Sequence, residues 1–572
     1  MLRRRASLPL LSLVPLLAGC PAPSPQGATD SAAPASGGPT SPAEAAWFIR
    51  APGDGGIDFR HETGHRDRYY MPESACGGAA LFDMDNDGDL DVYLVQAGSL
   101  LLPPELRPPN RLFENRGDGT FTDVSERSGT GDRGYGMGVA CGDYDDDGDI
   151  DLFVANYGRN ILYRNNGDGV FDDVTVAAGL ANEGWSTCGV FFDYDADGDL
   201  DLYVCSYLFW TPENEIDCYN DMGSLDFCSP MSHNTPAPDQ LYRNNGDGTF
   251  TDVSEAAGIT TSLGTGLGVL AGDFNLDSRP DLFIANDAMK DQLWINQGDG
   301  TFINDALIAG CAVDNDGVAK AGMGVTTADL DDDGDLDLMV CNLGQEADSM
   351  YRNDGGFFTD VTASAGLGHV SRAFTRFGMA WHDFNHDGLP DLYQANGRVK
   401  RLVETFSEDP YAEPNLLFRG VGPLRFVEQF PRGGTAEPLH HNSRAAAFGD
   451  IDNDGDIDIL INNIDGPPYL LLNIAPKAGH WLLVRAVNDY GSDALGATVL
   501  IRLGDRVIRR EVRPAYSYLA SNDPRVHFGL GDRDRIDEVI ITWPDGAAES
   551  FGPLRADQII ELRRGAGKPG PP

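Results

Sequence analysis

Short apolar runs separated by polar turns recur along most of the chain. One unit reads Gly136 to Cys141, then Leu152 to Ala155, Asn160 to Tyr163 and Phe171 to Thr175. Runs this short, rich in β-branched and aromatic residues and bounded by Gly, Asn and Asp, predict strands rather than helices. The turn Asn165-Asn-Gly-Asp-Gly169 marks a hairpin between the third and fourth strands. The unit recurs seven times. Its first two strands flank a nine-residue polar segment that begins at Asp83, Asp143, Asp193, Asp273, Asp329, Asp383 and Asp450. Four strands per unit, repeated at this spacing, predict an all-β chain whose main body is a seven-bladed β-propeller. Glycines recur in the first strand (Gly266 and Gly268, Gly322 and Gly324, Gly378), where innermost strands would converge on an axis.

The last unit supplies three strands, Ala445 to Phe448, Ile459 to Ile461 and Tyr469 to Leu472. Ile57-Asp-Phe-Arg60, ahead of the first unit, matches the fourth-strand pattern of Phe171 to Val174 and is predicted to complete the seventh blade. The propeller then spans 46–474. From about Ala475 the loops stop. Strands at His480–Val484, Ala497–Ile501, Arg525–Phe528 and Glu538–Thr542 predict a small β-sandwich-like domain over 475–564, followed by a disordered tail at 565–572. Two units carry long inserts, Tyr207 to Gln240 and Arg398 to Arg444, and long loops on a rigid scaffold are where binding tends to reside.

The polar segments carry the chemistry. In the first, acids alternate with other residues around a glycine: Asp83, Asp85, Asp87, Gly88, Asp89, Asp91. Such a loop can supply the six to eight oxygens that Ca²⁺ takes at ~2.3–2.6 Å. Asp83, Asp85 and Asp87 would give side-chain oxygens, Asp89 its backbone carbonyl, and Asp91 would close the shell. The loop closes at its ninth residue and runs into a strand, which excludes an EF-hand. The same reading assigns Asp143, Asp145, Asp147, Asp149 and Asp151 to the second site, and Asp193, Asp195, Asp197, Asp199 and Asp201 to the third. It assigns Asp329, Asp331, Asp333, Asp335 and Asp337 to the fifth, and Asp450, Asp452, Asp454, Asp456 and Asp458 to the seventh. The fourth (Asp273, Asn275, Asp277, Asp281) and sixth (Asp383, Asn385, Asp387, Asp391) depart from the pattern, the fourth also through Ser278 and Arg279-Pro280. The expectation is up to seven Ca²⁺, weakest at these two loops and least at the fourth.

Charge agrees. The formal net charge is −47, and 33 of the 89 acidic residues lie inside the seven loops. Unfilled, each loop would crowd carboxylates whose pairwise repulsion at ~4 Å is ~1 kcal/mol in water and ~4 at an intermediate dielectric. A chain this acidic lacks the basic face that nucleic acid requires.

The start reads as an export signal: Arg3 to Arg5, an apolar run from Ser7 to Leu17, then Leu17-Ala18-Gly19-Cys20. That ending resembles the lipobox of bacterial lipoproteins. The resemblance implies lipidation at Cys20, with Pro21 after it favouring the outer membrane, or secretion if Cys20 is not lipidated. Residues 21–45 are a Pro-, Ala-, Ser- and Gly-rich tether. Eight further cysteines in an exported chain suggest disulfides. Cys218 and Cys228 share one insert and are expected to pair. Cys188–Cys205 and Cys311–Cys341 would each join segments of one repeat, with buried free thiols as the alternative.

The segment Gly142-Asp-Tyr-Asp-Asp-Asp-Gly-Asp-Ile-Asp-Leu-Phe-Val154 resembles FG-GAP/VCBS repeats, similar to the integrin α-chain propeller. Gly491, Leu495-Gly-Ala-Thr-Val499, His527-Phe-Gly-Leu-Gly531 and Trp543-Pro-Asp-Gly546 resemble the ASPIC/UnbV domain. The resemblance implies a secreted calcium-binding propeller used for adhesion or recognition, and implies no reaction.

Three short motifs compete with this picture. His61-Glu-Thr-Gly-His65 matches a zinc-protease signature that requires a helix, yet it follows a strand and contains a glycine. Arg116-Gly-Asp118 falls in a repeated hairpin turn. His440 and His441, adjacent on a strand, face opposite sides. The leading expectation is a non-catalytic, lipid-anchored scaffold that recognises an extracellular or envelope protein or glycan. The alternatives are a propeller-type glycoside hydrolase or lyase, and a structural subunit of an envelope complex.

Overall fold

Repeat by repeat, four antiparallel strands form a meander. In the second repeat Tyr135–Gly142 pairs with Asp151–Arg159, then Ile161–Asn165, then Phe171–Asp173. The computed structural model describes residues 45–570, so the export signal, Cys20 and the tether ahead of residue 45 lie outside the described residues. Among the described residues each acidic loop lies between the first and second strands of such a meander, and the second and third meanders join edge to edge in one eight-stranded sheet. The inner strands of the meanders neighbour one another in a cycle. Ala79–Phe82 touches Tyr135–Gly142 on one side and Ser443–Gly449 on the other, which closes a propeller-like ring.

The ring is held by cores between adjacent sheets. Leu152 and Phe171 of the second repeat pack with Tyr93 and Leu112 of the first, and Phe448 and Ile459 of the seventh pack with Tyr393 and Phe384 of the sixth. At the axis the strands crowd so closely that a Cβ built on Gly324 would lie 1.9 Å from Phe377 O, which is why this position is glycine.

Ring closure uses an N-terminal strand, but a different one from that expected. Phe48–Arg50, not Ile57 to Arg60, pairs with Tyr469–Asn473 of the seventh repeat. Phe48 inserts its ring edge-on against Phe384 and Tyr393, while Ile57 and Phe59 pack without strand pairing into the core between the first and seventh repeats. Ile57-Asp-Phe-Arg60 alternates apolar and polar residues whereas Trp47-Phe-Ile-Arg50 does not, so alternation pointed to the segment that packs without pairing.

After the ring, two sheets face each other. His480–Val487 pairs with Val526–Gly531 and Gln558–Arg563, and Glu538–Thr542 is central to a five-stranded sheet that includes Thr498–Leu503. Leu482, Val484, Val499, Ile501, Val539 and Trp543 fill the space between them. The predicted tail is partly structured: Lys568–Pro569 adds as an edge strand to Ala548–Phe551, and Gly565 N donates to Glu549.

The two bodies are not separate. A loop of the second, residues 515–522, enters the ring along its axis. Ala520–Ser521 pairs in parallel with Ala79–Phe82. Ser517 exchanges two backbone hydrogen bonds with Val325, and its hydroxyl donates to Ala446 O at 2.7 Å. Tyr518 is fully buried, with its hydroxyl donating to Ala75 O at 3.2 Å. The central channel is therefore filled by this chain's own backbone and a tyrosine ring.

Candidate metal centres

Each acidic loop is folded by its own carboxylates. In all seven, the first aspartate accepts the backbone amides of the fifth and sixth residues, as Asp83 does from Asp87 and Gly88 at 3.1 and 3.0 Å. The fifth residue accepts the seventh amide through Oδ1, as Asp87 does from Asp89 at 2.9 Å, and its other oxygen takes no part in that bond. The ninth residue is the anchor. Asp91 accepts Met84 N and Asn115 N, both at 2.8 Å, one on each oxygen, and the arrangement repeats at Asp151, Asp201, Asp281, Asp337, Asp391 and Asp458.

The result is a concave cluster of oxygens. Asp83, Asp85 and Asp91 bring one oxygen each to within 4.8 Å of one another, as do Asp143, Asp145 and Asp151. Asp193, Asp195 and Asp197 do the same, and so do Asp329, Asp331 and Asp333. The third residue is the telling one: Asp85 Oδ1, Asp145 Oδ1 and Asp331 Oδ1 are buried atoms with no hydrogen-bond partner in the protein. A buried carboxylate oxygen without a donor is costly, and a hard cation satisfies it.

Protonation tells the same story. Burial lifts Asp91, Asp201 and Asp337 to about 8, against the amides that hold them down, and lifts Asp83, Asp193 and Asp329 to about 6. Burial thus disfavours the charge of the closing carboxylate where no cation offsets it. A divalent ion would supply that offset.

Some features of the loops were not foreseen from sequence. The fourth residue takes a left-handed backbone in every loop, from Asn86 (φ 59°) to Asn453 (φ 55°). Its side chain reaches the seventh residue of the next loop where chemistry allows: Asn86 donates to Asp149 and Asn453 to Asp89, both at 2.7 Å, and His386 lies 3.3 Å from Asp456. A second tie comes from the asparagine that opens each hairpin turn. Asn115 Nδ2 donates to Leu90 O of its own loop and to Ile451 O of the preceding one, at 3.0 and 2.9 Å. Asn165, Asn244, Asn296 and Asn353 repeat this double bond, so these five repeats are stapled to their neighbours at the acidic loops. The repeated Asn-x-Gly-Asp-Gly turn was the available signal.

The second body rests on this loop face through arginines. Arg525 donates to Asp450 O at 2.7 Å, Arg509 to Gly334 O at 2.7 Å and Arg506 to Gly388 O at 2.9 Å, and Arg485 stands 4.0 Å from Asp83. Between that body and the first two loops lies a cavity of about 280 Å³, walled by Phe82, Leu90, Ile150, Leu495 and Ile559.

The inserts lie at the other end of the strands, because they follow the second strands Asp201–Ser206 and Asp391–Asn396, which begin at the loops. They meet through Asp226, buried, which accepts Arg401 N and Tyr411 OH at 2.8 Å. Cys218 and Cys228 form the expected disulfide. Cys188, Cys205, Cys311 and Cys341 are buried free thiols, so the two further pairings expected from the repeats do not form; Cys76 and Cys141 are also free.

The competing motifs dissolve into structure. Residues 61–65 are not helical; His61 is buried, and His65 pairs with Glu73 at 2.6 Å. Asp118 caps its own turn by accepting Thr120 N at 3.0 Å. His440 stacks on Phe406 and His441 meets Tyr469, on opposite sides of the strand.

Comparison with known proteins agrees with the repeat reading. The FG-GAP-like repeat profile matches residues 83–154, 143–204, 219–284, 273–340 and 329–393, more than half of the chain. The ASPIC and UnbV profile matches residues 488–569. Cartilage acidic protein 1 of Mus musculus is 27% identical over 332 residues, 54% of this chain and 47% of the relative. The Homo sapiens protein is 26% identical over 313 residues, 52% and 43% respectively. The chain thus spans about half the length of the curated relatives it matches. Solved structures give weak overall likeness. An Agrocybe aegerita lectin specific for non-reducing terminal N-acetylglucosamine has a TM-score of 0.38 at 18% identity, covering 69% of this chain and 87% of that one. Bacillus licheniformis rhamnogalacturonan lyase has 0.38 at 14%, covering 71% and 72%. These scores transfer nothing about function. By its repeats and its C-terminal module, the chain belongs to the FG-GAP-like repeat family and carries an ASPIC and UnbV domain.

Proposed function

We propose that this propeller is a calcium-stiffened recognition scaffold without catalytic activity, exported and held to the outer membrane by lipid on Cys20. The observation that carries the metal reading is the unpartnered buried oxygen at the third position of the loops, Asp85 Oδ1, Asp145 Oδ1 and Asp331 Oδ1, facing carboxylates already fixed by backbone amides. The first, third and fifth side chains, the seventh carbonyl and the ninth carboxylate would hold the ion. The ion would replace carboxylate repulsion by attraction between repeats that Asn115 and its equivalents already join.

The inserts at the opposite end of the strands would be the recognition surface. Phe209 is 63% exposed, Tyr219 61% and Val403 81%, a share of apolar surface that suits a protein or glycan partner. The filled axis supports the scaffold over a propeller-type hydrolase or lyase, whose polar groups would have to converge there.

Thermal unfolding of the full chain with calcium and after chelation tests the metal reading. Each site held at 100 times its Kd would add about 2.7 kcal/mol, so a large fall in the midpoint is expected. An unchanged midpoint overturns the reading. For the partner, capture from envelope fractions by the wild type and by Phe209→Ser/Val403→Ser should differ; equal recovery moves recognition away from the inserts.

A further inference from the structure

The fourth loop differs from the others in what meets its carboxylates. In the first three loops the seventh residue is Asp89, Asp149 or Asp199, and its carboxylate lies over the glycine of the following hairpin turn. A Cβ built on Gly117, Gly167 or Gly246 would come within 2.7, 2.8 and 2.8 Å of it. In the fourth loop Arg279 takes that seat. A Cβ on Gly298 would lie 3.1 Å from Arg279 Cδ, and Arg279 Nε donates to Asn296 O at 3.2 Å.

From there the guanidinium folds back into the loop. Asp277 Oδ1 accepts the Arg279 amide at 3.1 Å, as the fifth residue does in every loop. That leaves Oδ2 as the oxygen available to a cation. Here Oδ2 accepts both Arg279 Nη2 and Asn275 Nδ2, the latter at 3.0 Å. The sixth loop shares the asparagine, with Asn385 Nδ2 donating to Asp387 Oδ2 at 3.1 Å, but its seventh residue is Leu389 and brings no charge.

We propose that Arg279 is a built-in counter-cation: its guanidinium occupies the Asp277 oxygen that a metal ion would take, so the chain binds one divalent cation fewer than it would with the regular sequence there. The inference rests on the calcium reading of the other loops. A fixed positive charge within about 5 Å of a divalent ion lowers its affinity by at least about tenfold even at a water-like dielectric constant. A tethered cation also cannot dissociate, so the fourth repeat keeps its loop geometry when calcium is withdrawn.

The test uses the full chain, stripped with chelator and titrated with Ca²⁺ by calorimetry. Ser278→Gly/Arg279→Asp restores the regular sequence at both positions, and its stoichiometry should rise by one over the wild type. Hydrogen exchange of the wild type gives a second, substitution-free readout: chelation should deprotect residues 143–151 and leave 273–281 unchanged. Equal stoichiometry in a folded variant, or equal deprotection of both segments, overturns the inference while leaving the calcium reading intact. A wild type that binds no Ca²⁺ overturns the calcium reading, and this inference with it.

Discussion

Tyr518 meets Phe377 edge to face, with ring centroids 4.8 Å apart, at the centre of the ring. The tyrosine belongs to the second body and the phenylalanine to the inner strand of the sixth repeat. Through its neighbours the same loop touches the first, fifth and seventh repeats, at Ala75, Val325 and Ala446. A propeller closed by short strands has its weakest point at the axis, where side chains are smallest. The inserted loop supplies the bulk that the inner strands lack.

Tyr518→Ala is therefore expected to destabilise the whole chain, because it empties a fully buried aromatic site. The cost should be about 3–5 kcal/mol, typical of an aromatic deletion in a core. Tyr518→Phe removes only the bond to Ala75 O and should cost about 1 kcal/mol. Denaturant unfolding followed by tryptophan fluorescence measures both. Equal, small losses in the two variants would mean that the ring holds itself together without the loop.

The asparagine staples predict a second effect. Asn165 Nδ2 donates to Met84 O and Ile150 O at 2.8 and 3.1 Å. Asn165→Ala leaves two carbonyls of adjacent acidic loops without their donor, at a cost of about 2–4 kcal/mol. The sixth repeat has Gly420 in the equivalent place, where a Cβ would lie 2.4 Å from Pro390 O. Gly420→Asn should thus destabilise as well, although it restores the motif. Chemical denaturation of the two variants checks both; a stabilised Gly420→Asn would contradict the packing.

The acidic clusters were legible in the sequence because their carboxylates follow the covalent order of the chain: Asp83, Asp85 and Asp91 are brought together by one turn. The repeat was legible because each sheet is built from neighbours in sequence. What joins distant segments was not. The axial loop around Tyr518 reads as an ordinary turn with two tyrosines, and nothing local says that it crosses to Ala79. Phe59 sits in an alternating segment and Phe48 does not, yet Phe48 is the ring that packs edge-on against Tyr393. The cysteines misled for a related reason. An even count of thiols behind an export-signal pattern suggests pairing, yet Cys311 and Cys341 lie buried in different intersheet cores.

The join between the inserts predicts a local effect. Asp226 is buried and accepts Asn220 Nδ2 as well as Arg401 N and Tyr411 OH, and Arg401 lies 3.5 Å from it as an ion-pair partner. Asp226→Ala leaves these donors unmet and should cost about 2–4 kcal/mol, felt in the inserts rather than in the ring. Limited proteolysis should then cut within 398–412 faster, with the chelator-sensitive melting of the ring unchanged. Cleavage at the wild-type rate would show that the inserts meet by other contacts.

His61 predicts a pH dependence of the ring. It is fully buried beside the seventh repeat; burial, aided by Arg444 and opposed by Asp465, lowers it from the ordinary 6.5 to about 4. A histidine lowered on folding is held neutral in the native chain. As pH falls below 6.5 the unfolded chain takes up a proton that the native chain refuses, so stability is lost until about pH 4, where the native imidazole also titrates. The loss amounts to about 3 kcal/mol over that window. His61→Gln keeps a polar side chain there and removes the titration. The stability difference between wild type and variant, measured by denaturant unfolding, should therefore shrink by that amount between pH 7 and pH 4. A constant difference across the window would mean that His61 is protonated in the native chain, beside Asp465.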